Sequence, residues 1–280
     1  MARKLIPFAI AYDFDGTLAP GNMQEHNFIP EIGMKADSFW TEVKKIAKLQ
    51  DGDEVLIYMG LMLRKADEKG IKVRRTDFRK RGRDIHLYPG VSEWFDRITR
   101  YGREGGVRVH HYIISSGLRE MIRGTPIAKK CKAIFASGYW YDQHGVAQRP
   151  ALALNYTTKT QYLFRINKGS LRVFDHSLIN KFVEKGKRPV PFEHIIYIGD
   201  GETDIPCFRL VKDQGGHSIA VFRPRARGGR KKCAQLITDG RVNFIAPANF
   251  QPSGKLDRMV KSIIEKVAWD NYVGRLGRLG

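Results

Sequence analysis

Leu5-Ile6-Pro7-Phe8-Ala9-Ile10-Ala11-Tyr12 runs without a charged residue into Asp13-Phe14-Asp15-Gly16-Thr17. A short apolar run closed by a polar turn predicts a buried β-strand. Asp13 and Asp15 stand two positions apart in a turn that Gly16 permits, so both can face one pocket at the end of that strand. Phosphoryl transfer needs such a pair. One carboxylate attacks phosphorus, and the other protonates the leaving oxygen and later activates water. A polar turn whose aspartates only satisfy backbone N–H groups would use the same residues, so the rest of the chain has to decide.

Residues 18–87 have a different character, with helical patterns such as Phe39-Trp40-Val43-Ile46-Ala47 and Val55-Tyr58-Met59-Met62-Leu63. Tyr88-Pro89-Gly90 punctuates the chain, and Val91 to Arg100 reads as a helix with Trp94, Phe95 and Ile98 on one face. Strand and helix patterns then alternate. Strands are expected at Val107 to Ile114, Ala133 to Ala136, His194 to Ile198, Ser218 to Phe222 and Val242 to Ala246. Helices are expected at Leu118 to Arg123, Thr158 to Asn167, Ser177 to Glu184, Thr203 to Lys212, Arg230 to Ile237 and Leu256 to Ala268. Tyr139 to Gln148 reads as a small hairpin. Alternation of this kind predicts an α/β fold with a Rossmann-like parallel sheet. The expected organisation is an α/β core of residues 1–17 and 88–272, a helical cap of residues 18–87 inserted after the first strand, and a flexible tail, 273–280.

The other chemical signals also lie where predicted strands give way to turns, which is where open α/β sheets bind ligands. Ile113-Ile114-Ser115-Ser116-Gly117 offers a hydroxyl and backbone N–H groups to a phosphate, although Ser116 could equally cap a helix. Ile198-Gly199-Asp200-Gly201-Glu202-Thr203-Asp204 places three acids where a hard cation wanting oxygen ligands, such as Mg²⁺, could bind. Acids at the positive end of a helix dipole give the same pattern. A lysine is needed to balance this charge. Lys159 is preferred to Lys168, whose place at a helix C-terminus has a dipole explanation.

The chain has 280 residues, 42% of them hydrophobic, which suits a sizeable core and argues against disorder. Three scattered cysteines without a CxxC exclude a disulfide framework and a zinc cluster. The apolar run before Asp13 is too short for a signal peptide and contains Pro7, and no apolar stretch could span a membrane, so a cytoplasmic protein is expected. The net charge of +20 suits nucleic acid, anionic lipid or a phosphorylated small molecule. Because the charge is dispersed, nucleic acid is not the favoured partner.

Taken in order, DFDGT, ISSG, a lysine and GDGETD resemble the haloacid dehalogenase superfamily, within it the phosphoserine phosphatase-like branch, over the whole chain apart from the tail. The stretch Lys159 to Ile166 is similar to the lysine-bearing helix of those phosphatases. The resemblance implies an Mg²⁺-dependent phosphatase working through an aspartyl-phosphate on Asp13. Asp15 would be the general acid/base, its main-chain carbonyl on the metal. Ser115 would bind phosphoryl oxygens with the Ser116 and Gly117 N–H groups, and Thr203 would lie near the phosphate. Lys159 would neutralise charge, and Asp200, supported by Asp204, would complete the metal site. An acid at position 15 separates this chain from carbon–halogen-cleaving relatives, which lack it, and from transport ATPase relatives, which have threonine there. The long segment between Lys159 and Asp200, with Arg165, Lys168, Arg172 and Lys181, departs from the branch.

His110-His111 lies in a predicted strand, so the two rings point to opposite faces and cannot chelate together. Phe28, Phe39, Trp40, Tyr58 and Phe78 read as the core of the cap. The basic run Arg74 to Arg83 is expected to border the pocket, and the run Arg223 to Lys232 to be a solvated loop. A small phosphorylated metabolite is the preferred substrate. A phosphatase acting on nucleic-acid ends and a nucleic-acid-binding non-enzyme on the same fold are the alternatives.

Overall fold

The computed structural model describes residues 5–276 apart from Arg225 and Arg227. Strand β1 (Ile6–Tyr12) is followed by four helices, α1 (Phe28–Glu31), α2 (Ala36–Gln50), α3 (Glu54–Asp67) and α4 (Arg75–Arg83). The chain then continues as α5 (Val91–Glu104), β2 (Val107–Leu118), α6 (Arg119–Gly124), β3 (Ala133–Tyr141), β4 (Ala147–Leu152) and α7 (Thr158–Lys168). It ends with β5 (Ile195–Gly199), α8 (Ile205–Asp213), β6 (His217–Phe222), α9 (Gly229–Thr238), β7 (Phe244–Pro247) and α10 (Lys255–Leu276).

The seven strands form one sheet in the order β4-β3-β2-β1-β5-β6-β7. Every pairing is parallel except β3 with β4, the expected hairpin. Strand β1 lies inside the sheet and is buried on both faces, which is why its sequence is continuously apolar. Phe8, Ile10 and Tyr12 pack on one face with Trp94, Phe95 and Ile98 of α5 and Val260 and Ile264 of α10. Ala9 and Ala11 face the other layer, with Leu163 and Ile166 of α7 and Phe208 and Val211 of α8. The alternation of large and small residues follows from the two-residue period of a strand.

Three expectations need correction. Residues 177–184 form no helix. Lys168 Nζ donates to the carbonyls of Ile179 and Lys181 inside this stretch, and the buried Arg165 guanidinium binds those of Arg172, Val173 and Asp175 just before it. Phe174 and Phe182 are 77% and 83% exposed, so this segment has no apolar face to pack. Strand β2 does not stop at Ile114 but runs to Leu118, with its register against β3 shifting between Ser115 and Leu118. Helix α6 therefore starts at Arg119, and Ser116 caps nothing. Helix α10 continues through Leu276, so residues 273–276 of the expected tail are helical; residues 277–280 lie outside the described residues.

Candidate active site

Parallel pairing brings the C-terminal ends of β1, β2 and β5 to one edge of the sheet. Tyr12 is in register with Ile113 on one side and Ile198 on the other, so Asp13, Ser115 and Asp200 emerge next to one another. The Asp13 N–H donates to the Ile198 carbonyl, 2.9 Å away, which fixes the turn against β5. Asp13, Asp15, Ser115, Ser116, Gly117, Lys159, Asp200 and Thr203 all line one cavity of about 580 Å³. The structure thus gathers these residues, separated by up to 190 positions in the chain, at one site; Asp204 lies beneath them, fully buried.

Lys159, in the first turn of α7, is 1% exposed and decides the arrangement beneath the cavity. Its Nζ donates to Asp13 Oδ1 at 3.0 Å and to Asp204 Oδ1 at 2.9 Å. Burial works to lower the lysine pKa, but the two carboxylates outweigh it and the net shift is upward, so Lys159 stays charged. Lys168 sits at the other end of the helix, bound to loop carbonyls. Asp204 also accepts from the Tyr197 hydroxyl at 2.6 Å and, through its other oxygen, from the Asp200 N–H at 3.1 Å. Asp204 stands at the N-terminus of α8 without capping it by a side-chain bond; its oxygens accept from Lys159, Tyr197 and the Asp200 N–H instead.

Two glycines make the close approach possible. Gly16 has φ +75°, and a Cβ there would come within 2.0 Å of Asp200 Oδ2. A Cβ on Gly117 would fall 2.7 Å from Asp15 Oδ2. Asp15 is held by the Met23 N–H, which donates to its Oδ1 at 2.8 Å. Ser115 Oγ accepts from the Gly117 N–H at 2.9 Å, which leaves its own proton available. The buried Ser116 Oγ and Gln24 Oε1 have no hydrogen-bond partner among the described residues, and both residues line the cavity. Unpaired buried polar atoms are costly, and a phosphoryl group would supply an acceptor for Ser116.

The carboxylates are short of positive charge. Burial raises the pKa of Asp13 above the usual range, Lys159 opposes the rise and Asp204 adds to it. Burial also raises Asp200, with further increases from Asp13 and Asp204. Asp15 is raised well above its ordinary value by burial and then by the charge of Asp13. Asp13, Asp200 and Asp204 can each present an oxygen with all three within 4.8 Å of one another. Crowded hard oxygen donors that repel one another fit a divalent cation such as Mg²⁺, which would reverse the upward shifts. A carboxyl that remains protonated beside an ionised one can act as an acid.

The basic residues at the cavity are not the expected ones. None of Arg74, Arg75, Arg79, Arg81 and Arg83 lines it. Arg81 pairs with Glu31, Arg75 lies over the Tyr141 ring and Arg74 reaches the His144 carbonyl, all around α4. Arg223 and Lys232, from the run expected to be a solvated loop, do line it; Arg225 and Arg227 of that run lie outside the described residues. Of the aromatics assigned to the core of residues 18–87, Phe28, Phe39 and Phe78 are buried there, whereas Trp40 and Tyr58 reach the cavity. The Tyr58 hydroxyl donates to the Ser116 carbonyl at 2.7 Å, tying α3 to the β2 turn. Tyr58 sits among apolar helix positions, so its hydroxyl was the only signal of this role. His111 is buried and His110 partly exposed, on opposite faces as expected.

Among the described residues, no helix is long and apolar enough to cross a membrane. Comparison with known proteins agrees with the geometry. A protein of Borreliella burgdorferi, itself uncharacterized, is 29% identical over 276 residues, covering 89% of this chain and 93% of that one. A haloacid dehalogenase family hydrolase from Salmonella enterica serovar Typhi shares the fold, with TM-score 0.59 and 17% identity over 92% of this chain and 72% of that one. A phosphoserine phosphatase, captured as an analogue of its phospho-aspartyl intermediate, shares the fold with TM-score 0.54 and 17% identity over 92% of this chain and 99% of that one. The model of the haloacid dehalogenase-like hydrolases matches residues 10–209, and with DFDGT and GDGETD brought to one sheet edge inside that span, the chain belongs to this family.

Proposed function

We propose that the chain is an Mg²⁺-dependent phosphatase that hydrolyses a small phosphomonoester through an aspartyl-phosphate on Asp13. The observation that carries this reading is the Asp13 carboxylate at the end of β1, 3.0 Å from Lys159 Nζ, sharing one cavity with Asp15 and Asp200. Asp13 and Asp200, with the Asp15 carbonyl and with Asp204 in support, would hold Mg²⁺, which would offset the negative charge of carboxylates and phosphoryl oxygens.

In the first step an Asp13 oxygen forms a bond to phosphorus as the ester P–O bond breaks, and the protonated Asp15 gives its proton to the leaving oxygen. In the second step Asp15, now ionised, takes a proton from water as the water oxygen attacks phosphorus; phosphate leaves and the Asp13 carboxylate is restored. The Ser115 hydroxyl, positioned by the Gly117 N–H that donates to its Oγ, and the Ser116 N–H orient the phosphoryl oxygens, and Lys159 favours the charged form of Asp13. The small-substrate reading is supported by enclosure: Asp13 is 5% exposed, and Trp40, Glu54 and Tyr58 of the α2–α3 segment line the cavity with it. The same lining residues support reading residues 18–87 as a cap over the site.

The test is phosphate release from p-nitrophenyl phosphate with Mg²⁺ and with EDTA, on wild type and Asp13→Asn. Activity confined to the wild type with Mg²⁺ is expected. Activity in EDTA, or more than a few per cent of wild-type kcat in Asp13→Asn, would refute the reading.

A further inference from the structure

The cavity of about 580 Å³ is much larger than a phosphoryl group seated at Asp13 requires; it falls in the range of about 300–1,000 Å³ typical of sites for whole small molecules. Its walls differ in charge. Glu54 and Glu202 line it near Tyr156, whose hydroxyl is raised first by burial and then by these charges and that of Asp53. Phe222 at the end of β6, Arg223 just after it, and Gly229, Lys232 and Cys233 at the start of α9 line it as well. Positions 229, 232 and 233 share one helix face. Gly229 packs so closely on Phe222 that a Cβ would lie 3.4 Å from the Phe222 Cβ, which brings the strand end and the helix start into one wall. The influence of Arg223 is felt at Tyr88, where it opposes the rise that burial causes.

Neither Arg223 nor Lys232 is paired with a carboxylate among the described residues. The buried acids do not need them: Lys159 already serves Asp13 and Asp204. This wall also lies beyond residues 10–209, the span that matches the family model. Two unpaired cations and two carboxylates lining one cavity favour an anion beside the cations and disfavour it beside the carboxylates.

We propose that the β6–α9 wall is a subsite for a second anionic group, so that the preferred substrate is a phosphomonoester carrying a further carboxylate or phosphate, held by Arg223 and Lys232. This rests on the phosphatase reading above. The phosphoryl group enters between Asp13 and Ser115, and the second anion is drawn toward Arg223 and away from Glu54.

Matched esters test it: 3-phosphoglycerate against glycerol 3-phosphate for a carboxylate, and fructose 1,6-bisphosphate against fructose 1-phosphate for a phosphate. For at least one pair, the wild type should favour the ester with the extra anion by tenfold or more in kcat/KM. Arg223→Gln and Lys232→Gln should each lower that ratio to threefold or less. Arg230→Gln, on the same helix but off the cavity, should leave the ratio unchanged. A wild-type ratio near one for both pairs, a ratio unmoved in Arg223→Gln and Lys232→Gln, or an equal fall in Arg230→Gln would overturn the subsite. The same ratios are read as affinities by calorimetry on Asp13→Asn protein. Absence of turnover on every ester would therefore overturn the phosphatase reading, while the affinity ratios would still decide the subsite.

Discussion

Lys159 Nζ lies 3.0 Å from Asp13 Oδ1, joining the first turn of α7 to the end of β1 across 146 residues of chain. The same ammonium holds Asp204, so one buried cation fixes the orientation of one carboxylate at the cavity and one beneath it. Removing it leaves two buried acids without their partner, a change that costs about 3–5 kcal/mol when a buried pair is broken. Lys159→Met should therefore lower stability to urea by that order and reduce kcat at least a hundredfold. Lys168→Met should leave kcat within about twofold, because Lys168 binds loop carbonyls remote from Asp13. Equal effects of the two substitutions would refute the assignment of Lys159.

Burial and the neighbouring Asp13 charge raise the Asp15 pKa, which favours the proposed role of Asp15 as general acid, and a general acid contributes roughly 10²–10⁴ in rate. Asp15→Asn should lose activity of that order on alkyl phosphates. On p-nitrophenyl phosphate, whose leaving group needs little protonation, the loss in the first step should be much smaller. Burst-phase kinetics separate that step from hydrolysis of the phosphoenzyme. An equal first-step loss for both substrates would argue against proton transfer by Asp15.

In the proposed metal site Asp200 would bind Mg²⁺ directly. Asp200→Asn should raise the Mg²⁺ concentration for half-maximal activity at least tenfold, with a smaller rise for Asp204→Asn, whose oxygens are engaged by Lys159, Tyr197 and the Asp200 N–H. Titration of activity against Mg²⁺ checks the order. A larger effect at Asp204 would reverse the two roles.

His111 provides a test of stability against pH that is separate from catalysis. The Trp94 indole donates to the Tyr12 hydroxyl, which donates to His111 Nδ1, while Nε2–H donates to the Phe95 carbonyl. This neutral ring is buried, and burial lowers its pKa to about 3. The unfolded chain binds a proton there near the ordinary value of about 6.5, whereas the folded chain does not, so this contribution to stability is complete above about pH 6.5 and falls as the pH drops toward 3. The slope is about 1.4 kcal/mol per pH unit for one proton. Urea unfolding between pH 4 and 6 should show a slope one proton steeper for the wild type than for His111→Gln. Identical slopes would refute the buried neutral histidine.

Part of this protein is legible along the chain because its signals are local. The apolar run before Asp13, the tight Asp13–Gly16 turn and the acids after Ile198 lie within a few residues of each other, and the alternation of strand and helix patterns specifies a parallel sheet whose C-terminal edge collects them. Residues 177–184 mislead for the opposite reason. Lys168, placed by the fold, takes the Ile179 and Lys181 carbonyls, and the segment finds no apolar surface to pack on.

By itself, then, the sequence determined the strand–turn positions of Asp13, Asp15 and Asp200, the parallel α/β sheet and the helical character of residues 18–87. Each depends on short-range pattern and backbone geometry. The tertiary structure decided which lysine meets Asp13, that Tyr58 ties α3 to the Ser116 carbonyl, and that Arg223 and Lys232 rather than Arg74 to Arg83 face the cavity. Charge and aromaticity have no direction in a sequence. Only strand order and helix packing determine whether a basic side chain faces a pocket, a neighbouring carboxylate or open water.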